Sequence, residues 1–125
     1  MSHFVTIKTQ IKDIEALRAA CKDLNLQLLQ NAEARGYGTK RERAAHVIQL
    51  NGPFDIAVHP ERDGTHRLST DWWDGHVERE VGKSYGRLLQ LYGAHKATRE
   101  AHKRGLTVHW SRHTHEAIKL TIGGL

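Results

Sequence analysis

Hydrophobic and polar residues alternate with period two at the start of the chain. Over His3 to Thr9, Val5 and Ile7 share one face, and Phe4, Thr6 and Lys8 share the other. This predicts a strand with Val5 and Ile7 turned to the core. The period then lengthens: within Ile11 to Leu24, the residues Ile14, Leu17, Cys21 and Leu24 recur at the spacing of one helix face, and Asp13 and Glu15 suit the positive end of a helix dipole. Leu26 to Ala32 alternates loosely and predicts a second strand. It is followed by a loop, Arg35-Gly36-Tyr37-Gly38-Thr39-Lys40-Arg41, in which two glycines bracket a tyrosine.

From Ala45 the pattern is that of a meander: His46 to Leu50, a turn at Asn51-Gly52-Pro53, Phe54 to His59, a turn around Asp63-Gly64, and His66 to Trp73. Inward positions are Ile48, Leu50, Phe54, Ile56, Val58, Leu68 and Trp72. The outward set is Val47, Gln49, Asp55, Ala57, His59, Arg67, Ser69, Asp71 and Trp73. His76 to Arg104 is helical by pattern, with Val81, Tyr85, Leu88, Leu89, Tyr92 and His95 on one broad side. Gly82, Gly86 and Gly93 interrupt it and predict close packing, a kink or a break near Gly93. Leu106 to Trp110 and Ala117 to Ile122 form a last hairpin, with Val108, Trp110, Ile118, Leu120 and Ile122 inward.

This order of elements predicts an α+β domain spanning the whole chain: a mainly antiparallel sheet with two helices packed on one face. The opposite face is then open or covered by another chain. It collects Phe4, Thr6, Lys8, Asp55, His59, Arg67, Asp71, Trp73, His109 and Lys119. The alternative is that Trp73 packs under the loop from Arg35 to Arg43 and leaves no open surface.

Composition narrows the chemistry only a little. Nineteen Lys and Arg against fourteen Asp and Glu give +5, which permits anionic partners without requiring them. The lone Cys21 forms no intrachain disulfide and falls on the apolar helix stripe, where it reads as a small core residue. With no basic-plus-apolar leader and no run long enough to cross a bilayer, a soluble cytoplasmic protein is expected.

Several residues invite a chemical reading. Ten histidines invite metal, yet His109, His113, His115 and Glu116 in a hairpin lack a specific zinc spacing, and neither a metal nor any other cofactor is assigned. Asp71 with His59 or His3, or Tyr92 with His95 and Lys96, offers acid and base groups, but no nucleophile is marked. The loop cations Arg35, Lys40, Arg41 and Arg43 beside Tyr37 suit phosphate and base stacking. So do Phe4 and Trp73 beside Lys8, Arg67 and Lys119, although Asp55 and Asp71 on the same face repel phosphate.

Ser2-His3-Phe4, Thr6-Ile7-Lys8-Thr9, Ile11, Arg35-Gly36-Tyr37, Asp71-Trp72-Trp73, Tyr92 and His95-Lys96 together form a further pattern. On these residues the chain resembles the family of the hypothetical chloroplast open reading frame 35, a small domain of cyanobacteria, algal plastids and other bacteria. The resemblance implies a stand-alone soluble protein and assigns no catalytic residue. The segment His109 to His115 departs from the family pattern.

The reading that needs no missing motif is a small non-enzymatic binding or accessory protein. It acts on a protein partner or a second copy through an open sheet face around Asp71 and Trp73. Candidate binding residues are Lys8, Arg35, Tyr37, His59, Arg67, Asp71, Trp73, His95 and Lys96. Single-stranded nucleic acid is the second candidate partner, an enzyme with an Asp/His site is the third reading, and a membrane is not expected to be a partner.

Overall fold

In a computed structural model that describes residues 4–112 and 118–124, the chain is α+β. Five antiparallel strands form the main sheet: β1 (Phe4–Lys8), β2 (Gln27–Arg35), β3 (Arg41–Gln49), β4 (Ile56–Pro60) and β5 (His66–Asp71), in the order β1-β5-β4-β3-β2. Helix α1 (Ile14–Asp23) follows β1. After β5 come a 3₁₀ turn over Trp73–Gly75, the short helix α2 (His76–Val81), a second 3₁₀ turn over Lys83–Tyr85, and the long helix α3 (Gly86–Lys103). Strands β6 (Thr107–Arg112) and β7 (Ile118–Gly123) pair only with each other, so His109 and Lys119 do not join the main sheet as expected. Among the described residues no helix is long and apolar enough to cross a membrane.

The helices form where the sequence supplies both a stripe and a cap. Asp13 precedes α1, and its Oδ1 accepts the free backbone N–H groups of Glu15 and Ala16. Its Oδ2 accepts Nε–H of Arg99 on α3 at 2.8 Å, which ties the two helices together. Leu17 and Cys21 are buried, with Ile14 and Leu24 packed at the margin. Burial pushes the Cys21 thiol up to about 12, although Arg18 pulls the other way, so it is a packing group and no nucleophile.

The predicted single helix from His76 is broken, and the break lies at Gly82, not near Gly93. Gly82 has φ 85° and ψ 167°, a conformation reserved for glycine, and a Cβ there would lie 2.7 Å from the backbone nitrogen of Arg87. Gly93 sits inside α3 and interrupts nothing.

The core-facing meander residues behave as their alternation predicts: Ile48, Leu50, Phe54, Ile56, Val58 and Leu68 are all buried against the helices, and Trp72 packs at their margin. Val5 and Ile7 do not follow. Their cross-strand partners are Thr70 and Leu68, so they do lie on the helix side, but β1 is the edge of the sheet and the helices stop short of it. They are 41% and 38% exposed. In the last hairpin Ile122 is likewise exposed.

The larger departure concerns the second face of the sheet, which is covered by the chain's own β2–β3 hairpin. These strands pair with each other almost throughout, yet β3 pairs with β4 only at His46, Val47 and Ile48. Asn31, in mid-strand, has φ 52° and bends the hairpin. Beyond that bend the hairpin crosses the face. Ala34, Ala44, Val47 and Ala57 form a second buried cluster with Phe4, Leu29 and Ala32 at its margin. Small side chains permit so close an approach. Gly36 lies on the Phe4 ring, where a Cβ would come within 2.7 Å. Val47, Ala57, Asp55, Ser69 and Asp71, all expected to face outward into the open, are therefore buried.

Candidate functional site

The hairpin tip meets the end of β5 through one carboxylate. Asp71 has no exposed surface, and its two oxygens are divided: Oδ2 accepts the backbone N–H of Tyr37 at 3.1 Å, and Oδ1 accepts that of Trp73 at 3.0 Å. Both of those residues are exposed, at 48% and 44%. Their rings touch edge to face, with centroids 5.0 Å apart. Asp71 is thus no displayed group of the sheet face; it is the buried clasp beneath two displayed aromatics.

The surface continues from Trp73 onto α2. The His76 ring lies 6.1 Å from the Trp73 ring and also packs edge to face on the buried Phe54. Arg79 reaches back, with Nη1 at 3.3 Å from His76 Nδ1 and Nη2 donating to the Asp74 carbonyl. Tyr37, Trp73, His76 and Arg79 so form a chain of contacts running from the hairpin tip to a helix.

Arg35, at the base of the tip, is locked in place. Its guanidinium grips Asp55 through Nε at 2.8 Å and Nη2 at 2.8 Å, and Nη2 also donates to the carbonyls of Leu50 and Gly52. The Asp55 hydrogen bond, helped by the charges of Asp55 and Glu80 and opposed by burial, holds the Arg35 guanidinium above its usual range. Asp55 also accepts the N–H groups of Arg35 and Leu50. Arg35 is therefore a buttress for the hairpin and not a free phosphate ligand.

The other candidates lie elsewhere. Lys8, Arg67 and His59 form a row across β1, β5 and β4, and each has an acidic partner: Lys8 with Asp63 at 3.2 Å, Arg67 with Glu61 at 3.6 Å and His59 with Glu42 at 2.6 Å. The expected pairing of His59 with Asp71 does not occur, because Glu42 on the folded hairpin takes the imidazole and also accepts the Ser69 hydroxyl. His95 and Lys96 are on α3. His95 bonds Asp23 at 2.7 Å and packs on Trp110, and Lys96 pairs with Glu100 at 3.1 Å. Tyr92, expected as an acid beside them, uses its hydroxyl to accept the N–H groups of Lys12 and Asp13. His3, His113 and His115 lie outside the described residues. No group of three or more potential metal ligands occurs among the described residues.

Of the nine candidates, then, Tyr37, Asp71 and Trp73 come together, with Arg35 behind them. Sequence reasoning missed Glu42, His76 and Arg79. Asn31 was the available signal for the fold-over, since an asparagine inside an alternating run tolerates the left-handed conformation that turns a strand.

Comparison with known proteins places the chain at family level. A family described as protein of unknown function (DUF1257) matches residues 20–121. The chain belongs to that family. The match takes in the bent hairpin, the Asp71 clasp, both aromatics and nearly all of the last hairpin. No curated protein and no solved structure matches the chain.

Proposed function

We propose that this DUF1257 protein is a binding or accessory module that recognises a protein partner, or a second copy, through the surface of Tyr37, Trp73, His76 and Arg79. The observation that supports this reading is the Asp71 clasp. A fully buried carboxylate is a costly group in a protein interior, and here both of its oxygens are spent on the backbone of two exposed aromatics. Tyrosine, tryptophan and arginine are the residue types that dominate interface energetics, and rings held in advance lose little freedom on binding. The family of the hypothetical chloroplast open reading frame 35 is the finer membership we propose, and the cytoplasm is the proposed location.

Quantitative capture from extract tests the reading. Proteins retained by the wild type and by Lys8→Ala, a distant control, are expected to fall at least about ten-fold with Trp73→Ala, the scale of an interface hot spot. Equal recovery by all three would count against this surface. A single-stranded nucleic acid is the second reading, favoured by Arg79 beside two stackable rings. It predicts low-salt binding that weakens in Trp73→Ala and with added salt. Absence of low-salt binding removes it.

A further inference from the structure

The main sheet has two edges, and they differ. β2 is bent at Asn31. β1 has neither a left-handed residue nor a proline, two devices that keep an edge from pairing with another chain, and its one cation, Lys8, is already paired with Asp63. Among the described residues β1 pairs with β5 alone. Val5 and Ile7 on it are left exposed because the helices stop short of this edge.

The ladder with β5 fixes which backbone groups of β1 are spare. The Thr9 N–H donates to the His66 carbonyl, one step beyond the opposed residues Lys8 and Arg67. Hydrogen-bonded pairs alternate along an antiparallel ladder, so the backbones of Val5 and Ile7 also turn to β5. Those of Phe4, Thr6 and Lys8 turn outward, each with an N–H and a C=O group.

This edge is complementary to itself. In a second copy laid antiparallel against it, with Thr6 opposite Thr6 on a two-fold axis, Phe4 of each copy stands opposite Lys8 of the other and Val5 opposite Ile7. Every outward N–H and C=O then meets its complement, and no like charges face each other. No other register pairs the residues of β1 solely among themselves. Val5 and Ile7 form the non-hydrogen-bonded pairs, in which side chains approach most closely. Both lie on the helix side, and the two-fold axis keeps that side common to both copies, so the apolar strip left uncovered in one copy is closed by the same strip of the other.

We propose that β1 is a self-pairing edge, through which two copies of this chain join their sheets by antiparallel β1–β1 pairing centred on Thr6. One narrow strand from each copy makes a small interface, so the dimer is weak, with a Kd of about 100 µM. The proposal uses the backbone edge of β1 and does not rest on the role of the Tyr37–Trp73 surface.

Sedimentation equilibrium of the full chain between about 10 µM and about 1 mM, with amide hydrogen exchange at both ends of that range, tests it. The wild type should dimerise, and the Phe4, Thr6 and Lys8 amides should exchange about three-fold slower or more at the high concentration, while Val5 and Ile7 amides are protected at both. Thr6→Pro removes an outward N–H at a position where an edge strand tolerates proline, and should raise the Kd at least about ten-fold. Trp73→Ala should dimerise as the wild type does. A chain still monomeric at about 1 mM, a dimer whose Phe4, Thr6 and Lys8 amides gain no protection, or a folded Thr6→Pro with an unchanged Kd would each overturn the proposal. Where Thr6→Pro does not fold, the wild-type amides decide alone. Loss of the dimer in Trp73→Ala with retention in Thr6→Pro would also overturn it, and would move self-association to the aromatic surface.

Discussion

Asp71, Trp72 and Trp73 are adjacent and do three different things. Asp71 clasps two backbone amides, Trp73 stands exposed beside Tyr37, and Trp72 supports Tyr85 at the edge of the core. Strand alternation assigns Trp72 to the core and Trp73 to the outside, and both lie so, but not for that reason: β5 ends at Asp71, two residues short of the expected strand, and Trp73 opens a 3₁₀ turn. Alternation also put Asp71 on the second face, and it does lie there. What alternation does not carry is whether a face is covered, since that depends on where a distant segment folds. Trp72→Ala, a large-to-small change against the core, is expected to cost about 3–5 kcal/mol in denaturant unfolding. A loss under about 1 kcal/mol would mean that Tyr85 does not need the indole.

At the scale of elements, the two decisive features are the bend in β2 and the break between α2 and α3. The helices and the meander were legible because period and turn chemistry are local: Asp13 caps α1, and Ile48, Ile56 and Leu68 face the helices as their spacing required. The bend at Asn31 was not, because a single left-handed residue leaves the apolar alternation on either side intact. The break was foreseen in kind and misplaced in position. Gly93 has open space around it and stays helical, whereas Gly82 has a backbone that no side chain tolerates. Gly82→Ala should therefore destabilise by about 1–3 kcal/mol, on the scale of one forced backbone outlier. Gly93→Ala should be neutral or stabilising, because alanine is the better helix former. Thermal unfolding of the two variants compares them directly, and equal effects would contradict this placement of the break.

Across the whole molecule, the sheet carries a core on both faces. A large one lies under α1 and α3, and a small alanine-rich one lies under the bent hairpin. This arrangement explains why the open-face reading fails while its alternative, a loop packed against Trp73, comes close. Lys8, Arg67 and His59 are on the expected face, but Asp63, Glu61 and Glu42 are paired with them, which sequence spacing does not reveal.

The helix side of the sheet, where His46 pairs across from Val58 and lies near His66, also leaves a mark on acid stability. Burial first, then the neighbouring charges of His66 and Arg18, lower the pKa of His46 from 6.5. A lowered folded-state value means that the unfolded chain binds the proton more readily. This contribution is complete above about pH 6.5 and is lost as pH falls through the folded value. Denaturant midpoints at pH 7.5 and 5.5 should therefore differ less in His46→Gln than in the wild type, and an unchanged difference would remove His46 from the account.

Amide hydrogen exchange at Tyr37 and Trp73 tests the Asp71 clasp most directly. In the wild type both amides should be protected, although their side chains are exposed. In Asp71→Asn the side-chain NH₂ cannot accept a hydrogen bond. At least one of the two amides should then exchange about ten-fold faster or more, while Val58 and Leu68 amides in the sheet keep their protection. Unprotected Tyr37 and Trp73 amides in the wild type, or protection unchanged by Asp71→Asn, would contradict the clasp and the presentation of the aromatic surface built on it.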